Sequence, residues 1–260
     1  MTDWDPELYL RFEDQRTRPC RELVARLTLP AGDVRHALDL GCGPGNSTAV
    51  LMARYPAARV TGVDNSPQML AKAKADFHNG HFERGDLATW EPAGEIRGKV
   101  DVILANASLQ WVANHAAILP RLMGWLREGG ELAVQIPQAD DLPVLKLITE
   151  VARSPAFAAI FEGFTPPHMV HEPQAYYDFL APHCRYIDLT EVIYYHIMDG
   201  PEDVVEWIKG TGLRPSLDRA GARSGEFLAE YARRITGAYP RRVDGKVLMA
   251  FRRLNILARR

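Results

Sequence analysis

The sequence is poor in cysteine, with 3 in 260 residues, at positions 20, 42 and 184. An odd number so widely spaced builds neither a disulfide framework nor a metal site and is expected of a reducing cytosol. No apolar run approaches the roughly 18 residues that a membrane span needs. The opening MTDWDPELYLRFEDQRTRP is charged from its third residue and has no apolar stretch of a secretory signal. The expected location is cytoplasmic, with no membrane partner. Excess charge of one sign is also missing: 31 Lys and Arg stand against 33 Asp and Glu, a net −2, so the whole chain does not advertise nucleic-acid binding. His168, His171, His183 and Cys184 follow no common zinc spacing, and no metal is expected. With no long exposed apolar element calling for a partner, the expected state is a monomer.

The remaining composition is that of a globular chain, 47% hydrophobic and 25% charged, able to bury one sizeable core with a subdomain attached. Its charge is uneven. Residues 214–260 carry 12 Lys and Arg against 4 Asp and Glu, and 25 of the 31 basic residues are arginine. Surface solvation accounts for such a section, and it also suits a small anionic substrate, since arginine is shaped to grip carboxylates and phosphates.

From residue 35 to 137 short apolar runs alternate with amphipathic stretches. Strands are expected at Arg35–Leu40, Arg59–Val63, His81–Gly85, Val100–Ala105 and Glu131–Ile136, and helices at Ser47–Arg54, Pro67–Phe77 and Ala113–Leu126. Such alternation predicts a doubly wound α/β fold, a parallel sheet with helices on both faces. After Pro137 the rhythm changes. Residues 138–182 read as mostly helical, Arg185–Met198 as a strand, Pro201–Gly210 and Glu226–Ala238 as helices, and Val247–Ala258 as a closing strand. The expected organisation is an N-terminal helical lid over 1–34, a nucleotide-binding core over 35–137, and helical cap insertions with the last two strands of the same domain over 138–260.

The informative stretch is Leu38-Asp39-Leu40-Gly41-Cys42-Gly43-Pro44-Gly45-Asn46-Ser47-Thr48, where a strand should turn into a helix. Glycines 41, 43 and 45 let backbone approach a ligand, and Asn46, Ser47 or Thr48 can cap the helix. Asp64 follows Gly45 by 19 residues at the end of the second strand, the spacing of a ribose-binding carboxylate. An acid two residues before the first glycine, Asp39, and another after the third strand, Asp86 in Gly85-Asp86-Leu87, move the choice away from a nicotinamide cofactor, as does the Gly-x-Gly-x-Gly spacing. A cationic sulfonium with its amino-acid moiety suits Asp39, ribose hydroxyls suit Asp64 beside Asn65, and an adenine amine suits Asp86 with the Leu87 amide, with Met69 against the ring.

These residues resemble the seven-stranded class I S-adenosylmethionine-dependent methyltransferases over about 35–137. The resemblance implies a Rossmann-like sheet of order 3-2-1-4-5-7-6 with an antiparallel last strand, S-adenosyl-L-methionine as donor and S-adenosyl-L-homocysteine as product. Outside the motif, Asp3-Trp4-Asp5-Pro6, Tyr9, Arg16-Thr17-Arg18-Pro19, Asn106–Trp111, Tyr176-Tyr177-Asp178, Tyr194-Tyr195-His196 and Thr211–Pro215 resemble the bacterial trans-aconitate methyltransferase family nearly end to end. That likeness implies a small tricarboxylate substrate esterified at one carboxylate. Carrier-protein malonyl methyltransferases share Asn106–Trp111 and are the alternative, with a basic docking face. A regulator that binds the cofactor without catalysis is another.

A carboxylate with a pKa of about 4 is ionised at neutral pH, so no general base and no catalytic side chain is expected. Cations should grip the carboxylates that do not react, because a cation on the attacking oxygen would blunt it. Arg214 is the first candidate clamp. Asn106 is expected on the donor, and Gln110 and Trp111 at the end of the fourth strand are expected on the substrate, with Gln110 holding a carboxylate or the cofactor. Trp207 is either a pocket wall or core. Tyr195 and His196 alternate along a strand, so at most one faces a substrate. Tyr9 is expected near the donor and Arg16 near the donor's carboxylate or the substrate.

Overall fold

The protein is described here by a computed structural model, which covers residues 11–166 and 169–260. Seven strands follow one another along the chain: β1 (His36–Leu40), β2 (Arg59–Asp64), β3 (His81–Arg84), β4 (Val100–Asn106), β5 (Leu126–Pro137), β6 (Tyr186–Met198) and β7 (Val247–Arg259). They form one sheet of order β3-β2-β1-β4-β5-β7-β6, the order that the family resemblance implied. The first five are parallel, with Leu38 facing Thr61 on one side and Ile103 on the other, and Leu104 facing Ala133. β7 runs against β5, since Gly129 and Gly130 bond to Arg260 at one end and Gln138 to Arg252 at the other. Among the described residues no helix is long and apolar enough to cross a membrane.

The helices are α1 (Glu13–Val24), α2 (Asn46–Arg54), α3 (Pro67–Asp76), α4 (His115–Trp125), α5 (Pro143–Ala152), α6 (Pro173–Leu180), α7 (Pro201–Lys209), α8 (Arg214–Ala220) and α9 (Ser224–Ala238). The chain groups into two compact units. The core unit takes Glu13–Pro137, Met169–Val192 and Leu254–Arg260, and the helical unit takes the described residues 11–12, 138–166 and 193–253.

In the core unit, Val100–Ala105 of β4 and Leu132–Pro137 of β5 are buried without interruption, as parallel strands covered on both faces must be. One side of the sheet packs with Ile118, Leu122 and Trp125 of α4 and with Tyr176 and Leu180 of α6. The other carries Cys20 and Leu23 of α1 with Leu51 of α2. The helical unit has its own core, in which Val144, Ile148 and Val151 of α5 meet Val204 and Trp207 of α7 and the stripe Phe227, Tyr231 and Ile235 of α9. The i, i+4, i+8 spacing of that last stripe is what makes α9 a helix with one apolar face. Residues 153–166, expected to be largely helical, form successive turns, with Pro155 inside the first.

Glu131 on β5 fastens the start of the core unit. Its carboxylate, 5% exposed, accepts the Thr28 hydroxyl at 2.6 Å, the Thr28 and Leu29 amides at 3.0 and 3.2 Å, and the Arg259 guanidinium at 3.0 Å. Burial pushes the carboxyl pKa up, but these donors outweigh it and hold it below the usual glutamate value. A depressed acid pKa contributes stability above the ordinary glutamate value and loses it as the pH falls through the folded value. Glu131→Ala is therefore expected to cost about 3 kcal/mol at neutral pH. Urea unfolding at pH 7 and again in acid checks this: the gap from the unsubstituted protein should narrow in acid, and a gap under about 0.5 kcal/mol at pH 7 would contradict the assignment.

Candidate active site

The turn between β1 and α2 is held from β2. The amides of Gly41 and Cys42 donate to the Val63 carbonyl at 2.7 and 3.0 Å, and the Gly43 amide donates to the Asp64 carboxylate at 2.9 Å. Gly41 has φ +76°, and a Cβ there would lie 2.2 Å from the Ser108 Cβ, so its need for glycine is internal packing. Gly45 is the residue before α2, beneath the Phe77 ring. Gly43 differs: its φ is +53°, and a Cβ would meet nothing of the protein within 4 Å. The bare backbone at Gly43 therefore faces open space, the form a turn takes when something outside the chain must approach it.

Asp39 is wholly buried. One carboxylate oxygen accepts the hydroxyls of Ser47 at 2.7 Å and Thr48 at 2.6 Å, and the other has no hydrogen-bond partner. The capping expected of Asn46, Ser47 or Thr48 is thus replaced: Gly45 is the cap residue with no side-chain cap bond, and the two hydroxyls turn back to Asp39. Burial pushes the Asp39 pKa up to about 6, against the pull of the two hydroxyls, and the Asp64 charge adds to the rise. Asn46 uses its side-chain amide instead to donate to Glu13 at 2.6 Å, which fixes the first turn of α1 beside the glycine turn. Arg16 is buried on that same helix. Tyr9 lies outside the described residues.

The remaining sequence candidates of the core unit gather at the carboxyl ends of the strands, where open α/β sheets bind ligands. Asp64 ends β2 and is half-buried, accepting the Ser66 amide at 2.9 Å as well as Gly43. Asn65 beside it is exposed, and Met69 is buried on α3, its amide capped by the Ser66 hydroxyl at 3.2 Å. Asp86 is exposed and turns the chain by accepting the Ala88 amide at 2.9 Å. The Leu87 and Ala88 carbonyls are pinned by Arg121 at 2.5 and 2.7 Å.

The chain leaving β4 is tightly placed. Asn106 accepts the Gln135 amide at 3.3 Å, the Ser108 hydroxyl donates to the Leu40 carbonyl at 2.6 Å, and Ala107 adopts φ +53°. Leu109, Gln110 and Trp111 form a single 3-10 turn. Gln110 is buried and donates its amide nitrogen to the Ala107 carbonyl at 2.7 Å, which leaves its side-chain oxygen without a partner. That orientation is fixed, because a backbone carbonyl can only accept. The free atom is an acceptor, suited to an N–H or O–H of a ligand rather than to a carboxylate oxygen. Trp111 is half-buried.

Four candidates lie in the helical unit. Alternation on β6 leaves Tyr195 61% exposed and His196 5% exposed, on opposite faces of the strand. The His196 ring stands 4.7 Å from the Trp207 ring, and Trp207 in turn meets Phe12 and Phe251, so His196 and Trp207 are parts of that unit's aromatic core. Arg214 is half-buried at the first position of α8, after the Thr211–Leu213 turn. Sequence reasoning passed over His115 and named Tyr176 only within the Tyr176-Tyr177-Asp178 resemblance, without a role; both are wholly buried and joined ring to hydroxyl at 3.0 Å beside the Leu109–Trp111 turn. His115 carries no motif. Among the described residues no group of three or more His, Cys, Asp or Glu side chains is placed to hold a metal ion, and His168 lies outside them.

A glycine turn with open backbone, acids at the ends of β1 and β2 and after β3, and a buried acceptor after β4 thus lie at the carboxyl ends of the core unit's strands. Residues 37–130 match the model of a family described as a methyltransferase domain. A trans-aconitate 2-methyltransferase of Methylobacterium radiotolerans is 48% identical over 269 residues, covering 100% of this chain and 99% of its own length. One from Variovorax paradoxus is 44% identical over 262 residues, with 100% and 99% covered. Among solved structures, the YcgJ protein from Bacillus subtilis has the same fold, with a TM-score of 0.60 at 13% identity over 94% of this chain and 98% of its own. A phosphoethanolamine N-methyltransferase of Haemonchus contortus, solved with S-adenosylhomocysteine, gives 0.55 at 11% identity over 94% of this chain and 52% of its own. Identity of this extent along the whole chain leaves one assignment: the chain belongs to the trans-aconitate 2-methyltransferase family.

Proposed function

We propose that this protein transfers a methyl group from S-adenosylmethionine to one carboxylate of trans-aconitate. The observation that carries the reading is the end-to-end identity with relatives named for that reaction. The residues of the core unit fit the donor. Gly43 offers open backbone, and the unpartnered oxygen of Asp39 is a buried negative atom in want of a cation or a donor. The Asp64 carboxylate, which accepts the Gly43 and Ser66 amides at the end of β2, serves the ribose hydroxyls. Asp86, the Leu87 amide, Met69 and Asn65 serve the adenosine end, and Asn106 with the Gln110 oxygen the amino-acid end. We assign Tyr9 and Arg16 to the same donor or its neighbour.

The donor supplies a methyl carbon already activated on a sulfonium. What is left to the protein is placement, the exclusion of water and the restraint of the carboxylates that do not react. The acceptor carboxylate is ionised at neutral pH, so no side chain needs to take a proton. Arg214 grips a carboxylate away from the reacting one, and Trp111 shields the reacting oxygen from water. Tyr195, exposed on β6, remains a candidate contact, whereas His196 and Trp207 support the substrate from behind. The three cysteines are unpaired, in keeping with a reducing cytoplasm, and we read the working form as a monomer.

Methyl transfer from labelled S-adenosylmethionine tests the reading directly, with cis-aconitate, citrate and malonyl-carrier protein beside trans-aconitate. Preference for trans-aconitate is expected, and preference for the carrier-bound malonyl group would replace the substrate while leaving the donor site. Gly43→Ala should cost the fold only about 1–2 kcal/mol of left-handed strain. Because its methyl enters the ligand's space, affinity for S-adenosylhomocysteine in calorimetry should fall by about tenfold or more. Retained affinity would remove the turn from the site.

Asp39 sets a pH dependence. With its pKa near 6 in the free protein, a bound cation must displace the proton below that pH. Affinity for S-adenosylmethionine should thus fall by up to about tenfold per pH unit below 6, and by less for the uncharged thioether product. Equal slopes for the two ligands would show that Asp39 does not sense the sulfonium. Arg214→Ala should raise KM for trans-aconitate by about 10- to 100-fold, the worth of a charged hydrogen bond. An unaltered KM would place the clamp elsewhere.

A further inference from the structure

The Leu109–Trp111 turn is held from outside its own sequence, and the holding group is His115, the first residue of α4. Its ring is wholly buried. Nε2 lies 2.8 Å from the Leu109 carbonyl and Nδ1 3.0 Å from the Tyr176 hydroxyl on α6. The Tyr176 oxygen in turn lies 3.3 Å from the His171 amide. These contacts admit one arrangement of protons. A carbonyl can only accept, so Nε2 carries the ring hydrogen. Nδ1 then presents a lone pair, which the Tyr176 hydroxyl fills by donating. The hydroxyl oxygen is left to accept from the His171 amide. With these roles each group of the relay is matched around a neutral imidazole. Burial lowers the His115 pKa against the pull of the Leu109 and Val112 carbonyls, and the facing His171 ring lowers it further, which favours the neutral ring at pH 7.

A second bond runs alongside. The Met169 amide donates to the Gln110 carbonyl at 2.7 Å. Two successive carbonyls of the turn, those of Leu109 and Gln110, are therefore tied to the Met169–Leu180 segment, one directly and one through His115 and Tyr176. The ring cluster around them is close: His171 stands 5.3 Å from His115, edge-on, and 5.5 Å from Phe179. What the arrangement fixes is where the turn lies, and so where Gln110 and Trp111 stand.

We propose that His115 and Tyr176 are positioning residues, which hold the Leu109–Trp111 turn through a relay from Tyr176 hydroxyl to imidazole to Leu109 carbonyl and thereby set Gln110 and Trp111 for methyl transfer. The inference rests on the functional reading above only for the reaction it serves; the relay stands on its own geometry.

The test is Tyr176→Phe, which removes one oxygen and keeps the ring, compared with Leu180→Ala on the next turn of the same helix as a control for loss of core packing. Nitrogen NMR on labelled histidine should show His115 as the neutral Nε2–H form in the unsubstituted protein, and in Tyr176→Phe the same tautomer with its Nδ1 signal displaced by loss of the hydroxyl donor. The Gln110 and Trp111 amide signals should shift in Tyr176→Phe and stay in place in Leu180→Ala. With trans-aconitate, kcat/KM is expected to fall about 10- to 100-fold in Tyr176→Phe and no more than about threefold in the control. Equal losses in both variants, or an Nδ1–H tautomer, would overturn the relay. An unsubstituted protein without turnover of trans-aconitate would overturn the substrate reading instead, and the NMR comparison would still decide the relay.

Discussion

The end of β2 bears the glycine turn, and the proposed donor site depends on that support. Backbone at positive φ does not hold itself in place; here the Val63 carbonyl takes two amides of the turn and the Asp64 carboxylate a third. The same carboxylate is the group proposed to meet the ribose, so one residue would both shape the turn and read the ligand. Asp39 sits one strand over and closes the arrangement through Ser47 and Thr48. This couples the start of α2 to the end of β1 without a conventional cap. Its cost is a carboxylate with no solvent and one unsatisfied oxygen, and that cost shows in a pKa pushed up to about 6.

The acids and the turn were legible in the sequence because their spacing is dictated by strand length and by the reach of a nucleoside, both local constraints. The strand order came from family resemblance, and the sheet has it. The regrouping after Pro137 was not legible. Residues 138–182 read as one helical insertion, yet α5 packs in the helical unit and α6 in the core unit. Val144, Ile148 and Val151 make an apolar stripe, and so do Tyr176 and Leu180. A stripe declares that a face is buried without declaring against what. Gln110 shows the same boundary at the scale of one side chain. The sequence marked it as an amide at the right strand end, but which end of the amide is free depends on the Ala107 carbonyl, placed by a φ of +53° that no residue type announced.

The arginine-rich close of the chain was open to three readings: solvation, an anionic substrate or a carrier protein's docking face. Most of the guanidinium groups there are used within the helical unit. Arg219 donates to the Ile160 carbonyl, Arg223 to Ala156 and Glu226, Arg233 and Arg234 to Glu230, and Arg241 to the Asp199 and Gly245 carbonyls. Arg252 pairs with Asp141. Individually such exposed contacts contribute little, because water and salt screen them. Together they tie the turns of residues 153–166 to α8 and to the chain leading into α9. The section is therefore chiefly structural, which weakens the argument for a basic docking face.

Charge also bears on what happens after methyl transfer. The core unit carries three acids at the strand ends, and the helical unit carries the candidate carboxylate clamp. Under the proposed function Asp39 would meet a sulfonium, and Arg214 the carboxylates that do not react. Esterification removes the sulfonium charge and that of the reacting carboxylate at once. Asp39 would then face a neutral thioether and regain its preference for a proton near pH 6, while Arg214 would keep the partners it had. The loss of charge that defines the reaction would thus loosen the spent donor without a separate device for its release.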